Sequence, residues 1–170
     1  MVMTKAELIA ALQHEVRILV HLAGKVDRTK LDYRPTPKQR STIELLRYMS
    51  MMGPTIIRYA KTNSTDPALW GDAAKAAEAR DFDQAVAAIA AQSAEYASLL
   101  DDMTEADFRG EVKSFDGSTT SRGAFIVNLV LGGCAAYRTQ LFLYLKACGR
   151  EELSTMNLWT GVDAPAGSSV

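Results

Sequence analysis

The stretch that decides the fold is Ser121–Gly149, which reads SRGAFIVNLVLGGCAAYRTQLFLYLKACG. No charged residue occurs between Gly123 and Tyr137, a run of about 15 residues that contains Asn128. A membrane-spanning helix needs roughly 20 consecutive apolar residues, so the run predicts a buried helix. Gly149 is suited to the end of that helix, because glycine readily adopts the left-handed conformation found at helix C-termini.

Three earlier helices are predicted from their N-terminal signals. Each candidate start is a capping box, in which a Ser, Thr or Asp is followed three residues later by Glu or Gln. Apolar residues then recur at spacings of three and four, as on one face of a helix. The predicted helices run from Thr4 to about Lys25, from Ser41 to about Lys61, and from Asp81 to about Asp102. Pro54 should kink or interrupt the second, because proline removes a helical hydrogen bond.

The connections between these helices are of unequal length. A short helix over Asp72–Ala79 is predicted between the second and third long helices, and one further turn over Thr104–Phe108. Residues 110–120 contain Asp116-Gly117 and predict an irregular segment or a short hairpin. Four long amphipathic helices indicate a bundle. We expect one domain over residues 1–160 and a flexible tail over 161–170, its last six or so residues disordered.

Composition and charge limit the partners and the compartment. The chain has 170 residues and a net charge of −1, without the basic surface that nucleic acid or an anionic membrane would require. The N-terminus lacks the apolar core of a signal peptide. Cys134 and Cys148 would lie about 21 Å apart on one helix, too far for a disulfide with each other. We therefore predict a cytoplasmic protein that binds neither nucleic acid nor membrane.

Two segments resemble a known family. Ala136–Gly149 resembles the last helix of the DinB-like four-helix bundles, which typically reads His-Arg-Gly-Gln, then apolar residues, Tyr-Leu-Arg/Lys and a glycine. Thr42–Met49, reading TIELLRYM, is similar to the Ser-Ile-x-Glu-Leu-Leu opening of the family's second helix. The resemblance implies an all-α, up-down-down-up four-helix bundle with a long crossover between helices 2 and 3. Homodimers are common in the family.

The family's metal ligands are replaced in this chain. Metal-binding members use one histidine of helix 2 and two of helix 4 spaced four apart, so that two imidazoles share a helical face and reach one ion. The matching positions are Tyr48, Gly133 and Tyr137. Glycine offers no ligand and neutral tyrosine is a poor one for a divalent metal. The resemblance thus implies a lost metal site, and we predict no metal, no other cofactor and no catalytic residue.

The remaining histidines and cysteines do not rebuild a reactive site. His14 and His21 fall opposite the apolar stripe of helix 1, two turns apart, and are interpreted as solvated surface residues, with a role at a subunit contact as the alternative. Cys134 is interpreted as inert packing. Cys148 lies at a helix C-terminus, where the helix dipole disfavours a thiolate.

The fourth helix has two apolar faces on a helical wheel. One face, expected to lie toward the bundle axis, contains Ile126, Val130, Gly133, Tyr137, Leu141 and Tyr144. A second strip, roughly opposite, contains Leu131, Phe142 and Leu145. A helix that is apolar on nearly all sides needs a cover. Either a second subunit covers the outer face of helix 4 in a homodimer, or the tail folds back over it with Leu153, Leu158 and Trp159.

The positions of the missing ligands define a candidate pocket. Tyr48 and Tyr137 are expected to face each other near Gly133, with Glu44 or Gln140 close to their hydroxyls. These five residues either line a small polar ligand pocket, or the two rings simply fill the volume that metal, water and imidazoles would occupy.

Three functions follow from these patterns. The leading hypothesis is a small-molecule-binding or interaction module, and we do not expect an enzyme. The alternatives are a metal- or thiol-dependent transferase or isomerase, as among the family's metal-binding members, and a purely structural homodimer.

Overall fold

The computed structural model describes residues 3–64 and 66–165. The helices are α1 (Lys5–Ala23), α2 (Thr42–Thr62), α3 (Pro67–Glu78), α4 (Phe82–Leu100), α5 (Glu105–Arg109), α6 (Arg122–Ile126), α7 (Gly132–Ala147) and α8 (Thr155–Thr160). Strands β1 (Glu111–Lys113) and β2 (Thr119–Ser121) form an antiparallel hairpin. A 3₁₀ turn covers Arg28–Lys30, and a wide π-helical turn, Val127–Leu131, joins α6 to α7. The continuous helix Arg122–Ala147 is called the rod below.

The helix directions are fixed by hydrogen bonds near the helix ends. Lys5, at the start of α1, donates to the carbonyl of Asp101, just after the end of α4, over 2.6 Å, so these helices are antiparallel. Lys61, near the end of α2, donates to the carbonyl of Leu99, near the end of α4, so these two are parallel. The rod is antiparallel to α2, because Arg122 at its start donates to Ala60. The up-down-down-up order is confirmed, and α3 lies in the crossover between α2 and α4.

The predicted helix starts are confirmed. Thr4, Ser41 and Asp81 are the N-caps of α1, α2 and α4, and each capping box is complete in both directions. The crossover helix α3 begins earlier than the predicted Asp72. Asp66 caps it by accepting a hydrogen bond from the backbone N–H of Ala68, and Pro67 is suited to the first helical position.

Pro54 does not interrupt α2, so of the two predicted outcomes, a kink or an interruption, the interruption is wrong. A proline leaves the carbonyl four residues earlier without its usual donor, and here that carbonyl belongs to Ser50. The Arg80 guanidinium lies 3.3 Å from the Ser50 carbonyl oxygen and 2.6 Å from the Ser50 hydroxyl. An arginine beyond the end of α3 thus supplies the lost hydrogen bond, and the helix continues to Thr62.

The wide turn rotates the second half of the rod relative to the first. A π turn contains more residues per turn than an α-helix. Buried residues of the rod are therefore spaced four apart from Ile126 to Arg138. The buried residues on this side are Ile126, Val130, Cys134, Arg138, Leu141 and Leu145. The helical wheel, which assumes a regular α-helix, placed Gly133 and Tyr137 on the axis. That assignment is wrong, because both are only partly buried and Cys134 and Arg138 occupy the axis side.

The axis side of the rod carries a buried ion pair. Arg138 Nε lies 2.9 Å from Glu15 Oε2 of α1, and the two side chains are only 6% and 9% exposed, respectively. The Arg138 guanidinium also donates to the carbonyl of Leu158 in α8 and lies 4.9 Å from the centre of the Trp159 ring. One arginine therefore joins α1, the rod and the C-terminal segment.

A second polar cluster lies between α2 and α4. Gln92 donates to the carbonyl of Met49 over 2.8 Å, and the buried Tyr96 hydroxyl donates to Gln92 Oε1 over 2.9 Å. Burial raises the pKa of Tyr96 well above its ordinary value. Tyr96 fits only because Gly53 stands opposite it: a Cβ at position 53 would lie 2.0 Å from the Tyr96 hydroxyl oxygen.

The C-terminal segment folds back onto α1 and α7. Leu153 and Asn157 are buried, and Asn157 Nδ2 lies 3.0 Å from His21 Nε2. Lys25, two residues after the end of α1, pairs with Asp163 over 2.7 Å, so the part of the predicted tail up to Pro165 contains a residue bound to the α1–α2 connection. The rest of that tail, residues 166–170, lies outside the described residues. His21 is therefore covered rather than solvated, and burial lowers its pKa.

Candidate functional site

A cleft of about 920 Å³ opens between α2 and the rod. The start of α3 forms a third wall, and the tip of the β1–β2 hairpin closes one end. Its lining is mainly apolar and aromatic, with Tyr48, Tyr59, Trp70, Phe115, Tyr137 and Met52 among the lining residues. We call this the aromatic cleft.

Tyr48 and Tyr137 meet at the end of the cleft far from the hairpin. Their ring centres are 5.0 Å apart and nearly perpendicular, an edge-to-face geometry that aromatic pairs favour. Trp70 lies 6.2 Å from Tyr48, and the Arg40 guanidinium stands 3.9 Å above the Tyr48 ring. Burial, and then the hydrogen bond with Tyr137, raise the pKa of Tyr48 to about 12. Tyr48 is therefore a neutral phenol at physiological pH, able to donate a hydrogen bond but not to act as a base.

Gly133 allows α2 and the rod to approach closely. A Cβ at this position would lie 3.2 Å from Met52 Cε and 3.3 Å from Met52 Sδ, tighter than ordinary packing. The rod thus presents backbone rather than a side chain to this part of the cleft. Three of the five predicted pocket residues, Tyr48, Gly133 and Tyr137, lie together here.

The other two predicted pocket residues have different partners. Glu44 accepts from the Ser41 backbone N–H over 2.7 Å and pairs with Arg34 over 3.2 Å. The Ser41 hydrogen bond is the main cause of a lowered pKa of Glu44. Its carboxylate lines a neighbouring, more polar cleft on the far side of Tyr48. Gln140 donates to the Tyr144 hydroxyl over 2.5 Å and does not line the aromatic cleft.

The hairpin supplies cleft residues that the sequence patterns did not reveal. The Phe115 ring at its tip lies 5.0 Å from Tyr59 of α2 and 5.5 Å from Phe125 of the rod. The Tyr59 hydroxyl donates to the carbonyl of Lys113 over 2.9 Å. The hairpin is thereby fastened to both long helices. Residues that bind ligands often lie on loops held by a rigid scaffold. The predicted irregular segment or hairpin over residues 110–120 was therefore the sequence feature that could have pointed to these cleft residues.

The residues at the family's ligand positions do not fit a divalent metal. Tyr48 and Tyr137 pack edge to face and Gly133 contributes no side chain. Within residues 3–64 and 66–165, no group of three or more His, Cys, Asp or Glu side chains is placed to hold an ion. Neutral phenols are poor ligands for such metals, so no chemistry is assigned to a metal at this cleft.

Comparisons with known proteins show the architecture. Neither protein-family profiles nor curated proteins give a match. Among solved structures, the crystal structure of a DinB-like protein from Bacillus subtilis (YjoA) is similar, with a TM-score of 0.67 and 16% sequence identity. The likeness covers 86% of this chain and 94% of that one. This chain is therefore an all-α four-helix bundle of the DinB-like fold.

Proposed function

We propose that the protein binds a small, largely apolar molecule in the aromatic cleft. The observation that carries this proposal is a volume of about 920 Å³ with a predominantly apolar and aromatic lining. Small-molecule sites are typically clefts of roughly 300–1,000 Å³, with hydrophobic walls and a few polar groups. Tyr48 and Tyr137 supply phenols at one end, and Lys113 and Asn128 supply polar groups toward the other.

Binding is favoured over catalysis by the groups that line the cleft. No histidine or cysteine lines it among the described residues. Cys134 lies on the axis side of the rod, where burial raises its pKa to about 12 and keeps it a thiol. The transferase and isomerase alternatives therefore lack a histidine or thiolate at this site, and Asp66, the one carboxylate among the described lining residues, is engaged in capping α3.

A neutral fluorescent probe tests the proposal. N-phenylnaphthylamine, which brightens in apolar sites, is expected to bind the wild-type protein with one-to-one stoichiometry. Ala136→Phe places a ring in the cleft from an exposed position of α7, so it should lower probe affinity by about tenfold or more, the loss of roughly 1.4 kcal/mol of binding.

Thr139→Phe is the matched control for that variant. Thr139 is exposed on the same helix and does not line the cleft, so its replacement should leave probe affinity unchanged. If the wild-type protein shows no saturable binding, or both variants bind equally, the cleft is not a ligand site.

A second candidate role is a homodimer through the outer face of the rod. The exposed positions of that face carry no charge: Ala124, Thr139, Leu143 and Ala147, together with Asn128, Gly132 and Ala136, which also border the aromatic cleft. The Leu143 side chain, near the C-terminal end of this face, is 58% exposed. By length and composition alone the rod is apolar enough to cross a membrane, although its inner side packs against α1 and α2. A second copy of the rod is a matching occupant, because small residues allow two helices to approach closely.

Light scattering coupled to size-exclusion chromatography tests this dimer. The wild-type protein should elute as a dimer, and Leu143→Arg should convert it to a monomer, since two facing charges would be buried without partners. Met156→Arg, at an exposed position of α8 rather than of the rod, should remain dimeric. A monomeric wild type would exclude the dimer. If Met156→Arg dissociates the dimer and Leu143→Arg does not, the interface lies at the C-terminal segment instead.

A further inference from the structure

The hairpin end of the aromatic cleft is its polar end. Lys113 is the one cationic and Asp66 the one anionic residue among the described residues that line the cleft. Asp66 Oδ1 accepts a hydrogen bond from the Ala68 backbone N–H over 2.9 Å at the start of α3. The positive end of that helix dipole offsets the carboxylate charge. Within residues 3–64 and 66–165, the Lys113 ammonium belongs to none of the nine ion pairs.

Asn128 is a second polar residue of the cleft, on the rod. It is exposed, it lines the cleft, and it belongs to the wide turn of the rod, a kind of helix defect frequently found at functional sites. It follows Phe125 by one turn, and the hairpin residue Phe115 packs against Phe125, which places Asn128 in the half of the cleft nearer the hairpin. Within residues 3–64 and 66–165, the Asn128 carboxamide makes no hydrogen bond to another protein group, so it can donate to a ligand.

The cleft is long, and its charged residues occupy only one end of it. Tyr48 and Tyr59 lie eleven residues apart on α2, about 16 Å at ~1.5 Å per residue. Apolar side chains such as Met52, Ile56 and Leu129 line the space between them. The shape therefore suits a molecule with an extended apolar body and one polar group at the hairpin end.

We infer that the ligand is an elongated aromatic or aliphatic acid. Its anionic group lies between Lys113 and Asn128, and its apolar body runs along α2 toward Tyr48 and Tyr137. This inference rests on the proposed function and names the class of ligand for the same cleft. A carboxylate or sulfonate accepts from both an ammonium and a carboxamide, and a charge-assisted hydrogen bond is the stronger of the two.

Two probes that differ by one charged group test the inference. Anilinonaphthalene sulfonate is the anionic counterpart of N-phenylnaphthylamine, and both report binding by fluorescence. Lys113→Gln should weaken binding of the sulfonate by about threefold to fivefold, as expected for a partly exposed ion pair, and leave binding of the neutral amine unchanged. Lys38→Gln, at an exposed lysine of the α1–α2 connection that does not line the cleft, should change neither.

A reciprocal variant keeps the test independent of any damage to the hairpin. Asp66→Asn preserves the helix cap, because asparagine caps as well as aspartate, but removes the cleft's carboxylate. It should strengthen sulfonate binding by about twofold without affecting the amine. Added sodium chloride should weaken sulfonate binding to the wild-type protein and leave amine binding constant.

The outcomes separate the two proposals. If the amine binds but the sulfonate shows no dependence on Lys113, Asp66 or salt, the acid inference fails and the apolar site stands. If neither probe binds saturably, both proposals fail. Dependence of both probes on Lys113 also overturns the inference, because it would make this residue part of the fold rather than a partner of the anion.

Discussion

Arg138→Ala is expected to lower the free energy of unfolding by about 3–5 kcal/mol, the largest single effect anticipated for this chain. The substitution leaves the Glu15 carboxylate buried without its cation, 2.9 Å from where Arg138 Nε stood. It also removes the donor to the Leu158 carbonyl and the contact with Trp159, so the C-terminal segment loses an attachment. Urea denaturation followed by circular dichroism measures the change.

The pH dependence of this loss identifies Glu15 as its source. Burial raises the pKa of Glu15 and the Arg138 charge lowers it, so removing Arg138 raises the pKa further. A carboxyl group with a raised folded-state pKa favours the folded state below its unfolded pKa, and this contribution disappears as pH rises through the folded-state value. The loss of unfolding free energy caused by Arg138→Ala should therefore be smaller at about pH 5 than at about pH 7.5.

Two further variants distinguish a buried charge from lost packing. Glu15→Gln combined with Arg138→Met removes both charges and keeps most of the volume, so it should be more stable than Arg138→Ala alone. Thr139→Ala, at the adjacent exposed position, should cost little. If Arg138→Ala lowers the free energy of unfolding by no more than Thr139→Ala does, and the loss does not vary with pH, the role of the ion pair is contradicted.

Gly53→Ala is expected to destabilise the fold by up to about 2 kcal/mol. The new methyl group would lie 2.0 Å from the Tyr96 hydroxyl oxygen and 2.9 Å from Cζ, and the fully buried Tyr96 has little room to move. Overpacking a filled core costs about 1–3 kcal/mol, and the preference of alanine over glycine in a helix interior offsets about 1 kcal/mol of that cost. Thermal and urea unfolding both measure the net loss.

Gly71→Ala is the matched control for that substitution. Gly71 lies in α3, where a Cβ would meet no atom within 4 Å. Alanine there should stabilise the protein by about 0.4–1 kcal/mol. Tyr96→Phe in the Gly53→Ala background should recover part of the loss by removing the closest clashing atom. Equal effects at positions 53 and 71 would show that Tyr96 does not depend on Gly53.

The long helices could be predicted because their signals are local, whereas their up-down-down-up order was implied by the resemblance to the DinB-like family. The capping boxes at Thr4, Ser41 and Asp81 each involve residues three apart, and the apolar periodicity follows directly from the helix. The continuity of α2 through Pro54 was not predictable in the same way. The donor that compensates the proline is Arg80, which lies 30 residues from Ser50 and carries no signal of this contact in the sequence.

The candidate site was likewise predictable from the sequence only in part. The proximity of Tyr48 and Tyr137 was expected because both match ligand positions of the DinB-like family. Trp70, Lys113 and Asn128 reach the cleft through a crossover, a hairpin and a wide turn, whose positions depend on long-range contacts such as that of Phe115 with Phe125. Helical periodicity contains no information about these contacts. The helical wheel also wrongly assigned Gly133 and Tyr137 to the axis side, because it assumes the same number of residues per turn along the whole helix.

The wide turn at Val127–Leu131 determines how the rod would tolerate a change in length. A one-residue deletion within it would remove the surplus residue and restore a regular helix, so α7 would keep its faces and Arg138 would still lie against Glu15. A one-residue deletion at Ala135, in the regular part of the helix, would instead rotate the residues after it by about 100° and turn Arg138 away from Glu15. The wide turn is therefore the place where the rod can lose one residue while Cys134 and Arg138 stay in the core and Gly133 and Tyr137 stay at the cleft.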